Sequence, residues 1–161
     1  MRRDAGGARR RAGAGEADRG RRTGARSSTR SSHDAAALLS AARAARRRAY
    51  APYSRFRVGA AVMAGGRIFT GANLENASYG LTLCAERAAV SAAVLQGARR
   101  LDAIAIASGT SPPTPPCGMC LQTLAEFAGP ELPVLLAGGR GGGRRTTLGE
   151  LLPHAFSKRY L

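Results

Sequence analysis

Cys84, Cys117 and Cys120 are the whole cysteine content of this 161-residue chain. An odd number gives no disulfide framework, whereas a close Cys117-Gly118-Met119-Cys120 pair with one distant partner has the spacing of a metal site. Buried thiols or a redox pair are the rival readings of a Cys-x-x-Cys taken alone. The surrounding residues predict two helices, from about Cys84 to Gln96 and from about Cys117 to Gly129, with the cysteines at their starts. A helix start carries partial positive charge and free N–H donors, both of which favour thiolates. Three thiolates would fill three of the four tetrahedral positions of zinc, and no fourth cysteine exists to close the set. The open position suits a water; the other candidate ligands, His33 and His154, stand in the N-terminal tail and near the C-terminus.

Glu86 follows Cys84 by two residues and can move protons beside the metal without ligating it. A metal that lowers the pKa of water, together with a carboxylate that takes the proton, is a hydrolytic combination at neutral pH. Three thiolates on a dication leave one negative charge, and the adjacent Arg87 is placed to offset it by hydrogen-bonding a sulfur. Joined as Cys84-Ala85-Glu86 and Pro116-Cys117-Gly118-Met119-Cys120, these residues match the zinc deaminase signature of Cys or His, then Glu, then Pro-Cys-x-x-Cys.

The elements that must position them follow from pattern. Asp34 before the run from Ala35 to Ala45 predicts an N-cap and a helix over about 35–49, ended by Pro52. Residues 57–64 and 67–72 read as strands joined by a Gly65-Gly66 hairpin turn. Residues 73–83 form a polar irregular segment. Leu101 to Ala107 and Pro133 to Ala137 read as buried strands, residues 108–116 as a proline-broken loop, and Gly138 to Arg145 as a flexible loop. Thr147 is placed to cap a short helix through Leu152. This order implies an α/β fold, a three-layer α/β/α sandwich with a mixed central sheet.

The chain resembles the small homo-oligomeric, zinc-dependent cytidine deaminases of the free-nucleoside type over roughly residues 35–158. The resemblance rests on the zinc motif together with Pro52-Tyr53-Ser54-Arg55-Phe56, Val58-Gly59-Ala60-Ala61, the run from Asn73 to Arg87, and Leu151-Leu152-Pro153-His154-Ala155-Phe156. It implies hydrolytic deamination of cytidine and deoxycytidine to uridine and deoxyuridine plus ammonia, in pyrimidine salvage. Metal-bound hydroxide would attack C4, with Glu86 as proton shuttle and one Zn2+ per chain held by Cys84, Cys117 and Cys120. By the same resemblance Asn73 and Glu75 would hold the ribose hydroxyls and Phe56 would pack against the base. Phe156 would stack on the pyrimidine in a neighbouring subunit's site, in a homotetramer or a dimer. One position departs from the family: Leu121 stands where Arg usually follows the second cysteine of the box.

Composition bounds the alternatives. The net charge of +15 would ordinarily point to nucleic acid, but residues 1–34 alone carry ten Arg against four acids, and Lys158 is the one Lys of the chain. Residues 1–34, rich in Arg, Gly and Ala, read as a disordered extension, and residues 35–161 as the catalytic domain. Few aromatics suit base stacking, which argues against a polynucleotide-editing enzyme. A zinc-stabilised nucleic-acid-binding module would need a fourth ligand and would have no use for Glu86. A blasticidin S-type aminonucleoside deaminase shares the zinc box, and Asn73-x-Glu75 argues instead for ordinary nucleosides. No apolar run approaches a membrane span or a secretory signal, so the expected location is cytoplasmic.

Overall fold

A computed structural model describes residues 23–139 and 142–161 of the chain. Gly65 and Gly66 both take positive φ, 57° and 75°. That is the twist a two-residue hairpin needs, and it joins β1 (Gly59–Ala64) to β2 (Arg67–Ala72). With β3 (Ala103–Ala107), β4 (Pro133–Ala137) and β5 (Gly143–Thr147) they form a mixed sheet in the order β2-β1-β3-β4-β5. Only β3 and β4 run parallel among the described strands; the other neighbouring pairs are antiparallel.

Strand alternation sorts the core into two sides. Ala60, Val62, Ile104, Ile106, Val134 and Leu136 pack beneath α2 (Ala85–Leu95) and α3 (Gly118–Phe127). Ala61, Ala105, Ala107, Leu135 and Ala137 face α1 (Thr23–Arg46), which lays Leu38 and Ala42 on them. The layers are therefore helix, sheet, helices, as the sequence predicts. The side toward α1 is mostly alanine, so that helix sits close to the sheet. At Gly59 the approach leaves no room at all: a methyl there would overlap the backbone oxygen of Ala42 and the backbone nitrogen of Arg46. Because backbone cannot rotate aside, Gly59→Ala is expected to destabilise the fold by about 3 kcal/mol. Urea unfolding of the variant beside the parent chain measures this.

Three sequence expectations are corrected. The first helix begins at Thr23 and ends at Arg46, not at 35 and 49, so Asp34 lies inside α1 and caps nothing. The part of residues 1–34 before Thr23 lies outside the described residues. The loop expected over 138–145 instead leads into β5, whose outward residues are exposed and whose place is fixed by backbone pairing with β4. Thr147 does cap α4 (Leu148–Leu151), through a reciprocal pairing with Glu150.

Candidate active site

Both cysteine-bearing helices start at the same end of the sheet. Cys84 is the N-cap of α2 and Cys117 that of α3, and neither makes a side-chain capping hydrogen bond. One turn into α3, Cys120 is fully buried. The three sulfurs lie within 4.8 Å of one another, with Cys117 and Cys120 at 3.6 Å. Thiolates arranged tetrahedrally about one zinc at Zn–S of about 2.3 Å would stand roughly 3.8 Å apart, so this donor set fits the ion. Neither His33 nor His154 joins the cluster.

A hydrogen bond with Cys120, helped by the Arg87 guanidinium, lowers the Cys84 pKa to about 5, while that same bond and burial push Cys120 up. Arg87 donates from Nη2 to the backbone oxygen of Thr82 at 2.9 Å, and its buried Nε has no partner among the described residues. Leu121, at the position of the family's usual Arg, is packed into the core beneath α3 and contributes no charge. The Arg87 guanidinium is among the groups that lower the Cys84 pKa.

Glu86, in the first turn of α2, is 5% exposed. Burial raises its pKa above the ordinary carboxylate value. It shares a cavity of about 270 Å³ with Cys84 and Cys117, and Phe56, Asn73 and Glu75 line the same cavity. The polar segment after β2 brings them there by folding back on itself: Leu74 and Leu83 exchange backbone hydrogen bonds at 2.9 Å, and Glu75 N donates to Tyr50 O.

Asn73 and Glu75 are held by their own neighbours. The Asn73 amide accepts from Val58 N at 2.8 Å and donates to Phe56 O at 2.9 Å, which fixes the backbone on both sides of Arg57. Glu75 accepts from the N–H groups of Tyr53 and Ser54 and from the Ser54 hydroxyl; that hydroxyl bond is the main cause of its lowered pKa. An amide has a second N–H and a carboxylate further lone pairs, so both keep polar capacity for a ligand. Phe156 is not among the cavity's lining residues. It is exposed, stacked on Tyr160 at 5.7 Å, and its backbone is gripped at N and O by Gln122. Sequence reasoning missed Ser108 and Thr114, which also line the cavity. The prolines of that loop predict a chain break and nothing more, and no spacing in the sequence marks its hydroxyl residues as lining a cavity.

Comparison with known proteins agrees with this geometry. The family model for the cytidine and deoxycytidylate deaminase zinc-binding region matches residues 32–136. A cytidine deaminase of Sporosarcina psychrophila is 45% identical over 78% of this chain and 93% of its own length. Another, from Halalkalibacterium halodurans, is 49% identical over 74% of this chain and 92% of its own. Among solved structures, a cytidine deaminase from Burkholderia pseudomallei superposes with a TM-score of 0.72 at 49% identity, covering 75% of this chain and 98% of that one. With near-half identity spread along almost the whole length of such relatives, and three cysteines and a buried Glu86 converging on one cavity, this chain is an enzyme of the cytidine deaminase family.

Proposed function

We propose that the enzyme deaminates cytidine and deoxycytidine with one zinc per chain, water entering at C4 and ammonia leaving, to give uridine and deoxyuridine. The observation that carries this reading is a buried carboxylate, Glu86, lining the same cavity as two of the three clustered sulfurs. Zinc held by Cys84, Cys117 and Cys120 supplies the Lewis acidity that lowers the pKa of water. Glu86 accepts the proton of the attacking water and delivers protons to N3 and to the leaving amine, which keeps the balance of one water in and one ammonia out. Arg87 moderates the charge on the sulfurs from beside Cys84. Phe56 packs against the base, and Asn73 and Glu75 bind the ribose hydroxyls with the polar capacity left by their loop contacts.

The enzyme assembles as a homotetramer, or a dimer, in which Phe156 enters a neighbouring copy's site. Support comes from its exposure, its pinned backbone, and the exposure of Tyr53 and Tyr79, which line a groove with Glu75. Residues 35–161 are the catalytic domain in this reading and residues 1–34 an extension, whose residues from Thr23 onward form the first part of α1. The setting is pyrimidine salvage in the cytoplasm; among the described residues no helix is long and apolar enough to cross a membrane.

Ultraviolet-monitored conversion of cytidine by the purified chain tests the reading, with zinc measured on the same sample. Turnover that scales with zinc, saturating near about one ion per chain, is expected. Full zinc occupancy without turnover of cytidine or deoxycytidine would overturn it.

A further inference from the structure

The loop between β3 and α3 contains a chain of three hydroxyls. Ser108 Oγ lies 2.9 Å from Thr110 Oγ1, which lies 2.7 Å from Thr114 Oγ1, and the Thr114 backbone N–H donates to Ser108 Oγ at 3.3 Å. Both ends of the chain, Ser108 and Thr114, line the cavity that holds Glu86, Cys84 and Cys117; Thr110 does not. Ser108 is 2% exposed, so its hydroxyl has little access to bulk water.

Each hydroxyl has one hydrogen and two acceptor positions, so two bonds among three hydroxyls leave one hydrogen over. When the chain runs from Ser108 through Thr110 to Thr114, Ser108 gives its hydrogen to Thr110 and accepts from the Thr114 N–H. One lone pair is then what it has left for the cavity. When the chain runs the other way, Ser108 accepts from both Thr110 and the Thr114 N–H. Its lone pairs are filled, and its O–H hydrogen is what remains. If Ser108 and Thr114 both donated to Thr110, the Thr110 hydrogen would have no acceptor among the described residues, which disfavours that arrangement.

We propose that Ser108 contacts position 4 of the pyrimidine and that Thr110 sets the sense of that contact, acceptor toward the amine of cytidine and donor toward the carbonyl of uridine. This rests on the deaminase reading above. During deamination the exocyclic group changes from a hydrogen-bond donor to an acceptor. A contact of fixed sense would leave a buried polar group unpaired on one side of the reaction. Concerted rotation of three hydroxyls reverses the sense without moving any heavy atom. Ser108 is the residue that touches substrate; Thr110 is a positioning residue that acts through it.

The full chain and its Ser108→Ala, Thr110→Val and Thr110→Ser variants test this, with KM and kcat for cytidine, inhibition by uridine, and zinc content measured on each. Ser108→Ala is expected to raise both the cytidine KM and the uridine Ki about three- to tenfold. Thr110→Val removes the hydroxyl that takes the Ser108 hydrogen when Ser108 must accept. It should therefore raise the cytidine KM by a similar factor and leave the uridine Ki within about twofold, with kcat and zinc content kept. Thr110→Ser should restore the parent values. Equal shifts for both nucleosides in Thr110→Val, no shift in either, loss of zinc, or failure of Thr110→Ser to restore would overturn the proposal. Should Thr110→Val not fold, unchanged KM and Ki in Ser108→Ala would overturn it alone. Failure of the parent chain to deaminate cytidine would instead overturn the functional reading, an outcome separate from any of these.

Discussion

Replacing Glu86 with Gln is expected to lower kcat for cytidine by about 10²- to 10⁴-fold while zinc content and melting temperature stay near those of the parent chain. Gln has nearly the shape of Glu, so the first turn of α2, between buried Ala85 and the half-buried Arg87, loses no packing. What it loses is the ability to take a proton from water and hand it on, because an amide oxygen is a far weaker base than a carboxylate. The substitution separates two roles that a larger change would mix. A truncation such as Glu86→Ala would open a hole beside the sulfurs and could disturb the ligands as well as the proton path. If Glu86→Gln retained near-parent kcat with full zinc, the proton-shuttle role would be wrong, and Glu86 would be only a buried acid at a helix start. A drop in kcat accompanied by zinc loss would instead place Glu86 in the support of the metal site.

The contrast between what was and was not legible in the sequence is physical. Cys84, Glu86, Arg87, Cys117 and Cys120 declare themselves because their chemistry is rare and their spacing puts them at helix starts, and the structure brings all five together. Strands β1, β3 and β4 are legible because each alternates between two buried faces, and β2 because the Gly65-Gly66 turn pairs it with β1. Strand β5 was not, since its Gly143-Arg144-Arg145 run carries no apolar alternation and is held by the backbone of β4. The start of α1 was missed because Asp34 is a persuasive cap in sequence, and the residues before it back to Thr23 are mostly Ser and Thr, with one Ala and two Arg among them, so helix propensity gives no sign that α1 reaches back that far. Ser108, Thr110 and Thr114 were invisible for another reason. Their spacing matches no helix or strand period, and only the folded loop places their oxygens in contact.

Removing zinc with a chelator is expected to abolish turnover and to lower the melting temperature by about 10 °C, with both restored by added zinc. A ligand that binds only the folded state at about a thousandfold excess over its Kd stabilises by roughly 4 kcal/mol, and each kcal/mol moves a domain of this size by about 2–4 °C. The structure says why the fold should feel the loss. Helices α2 and α3 both begin at cysteine N-caps that make no capping hydrogen bond through their side chains, so an ion shared by the sulfurs would tie the two starts together. Two cysteine variants divide the metal's contribution from that of packing. Cys117 is exposed and Cys120 is fully buried, so Cys117→Ala removes a ligand and little else, whereas Cys120→Ala also opens a gap in the core. Cys117→Ala should therefore melt close to the chelated parent chain, with no further change on adding chelator. Cys120→Ala should melt lower still under the same conditions. A parent chain whose melting temperature and turnover were both indifferent to chelation at full zinc removal would contradict the metal centre itself. Equal melting of the two variants would show that the burial of Cys120 contributes nothing beyond its sulfur.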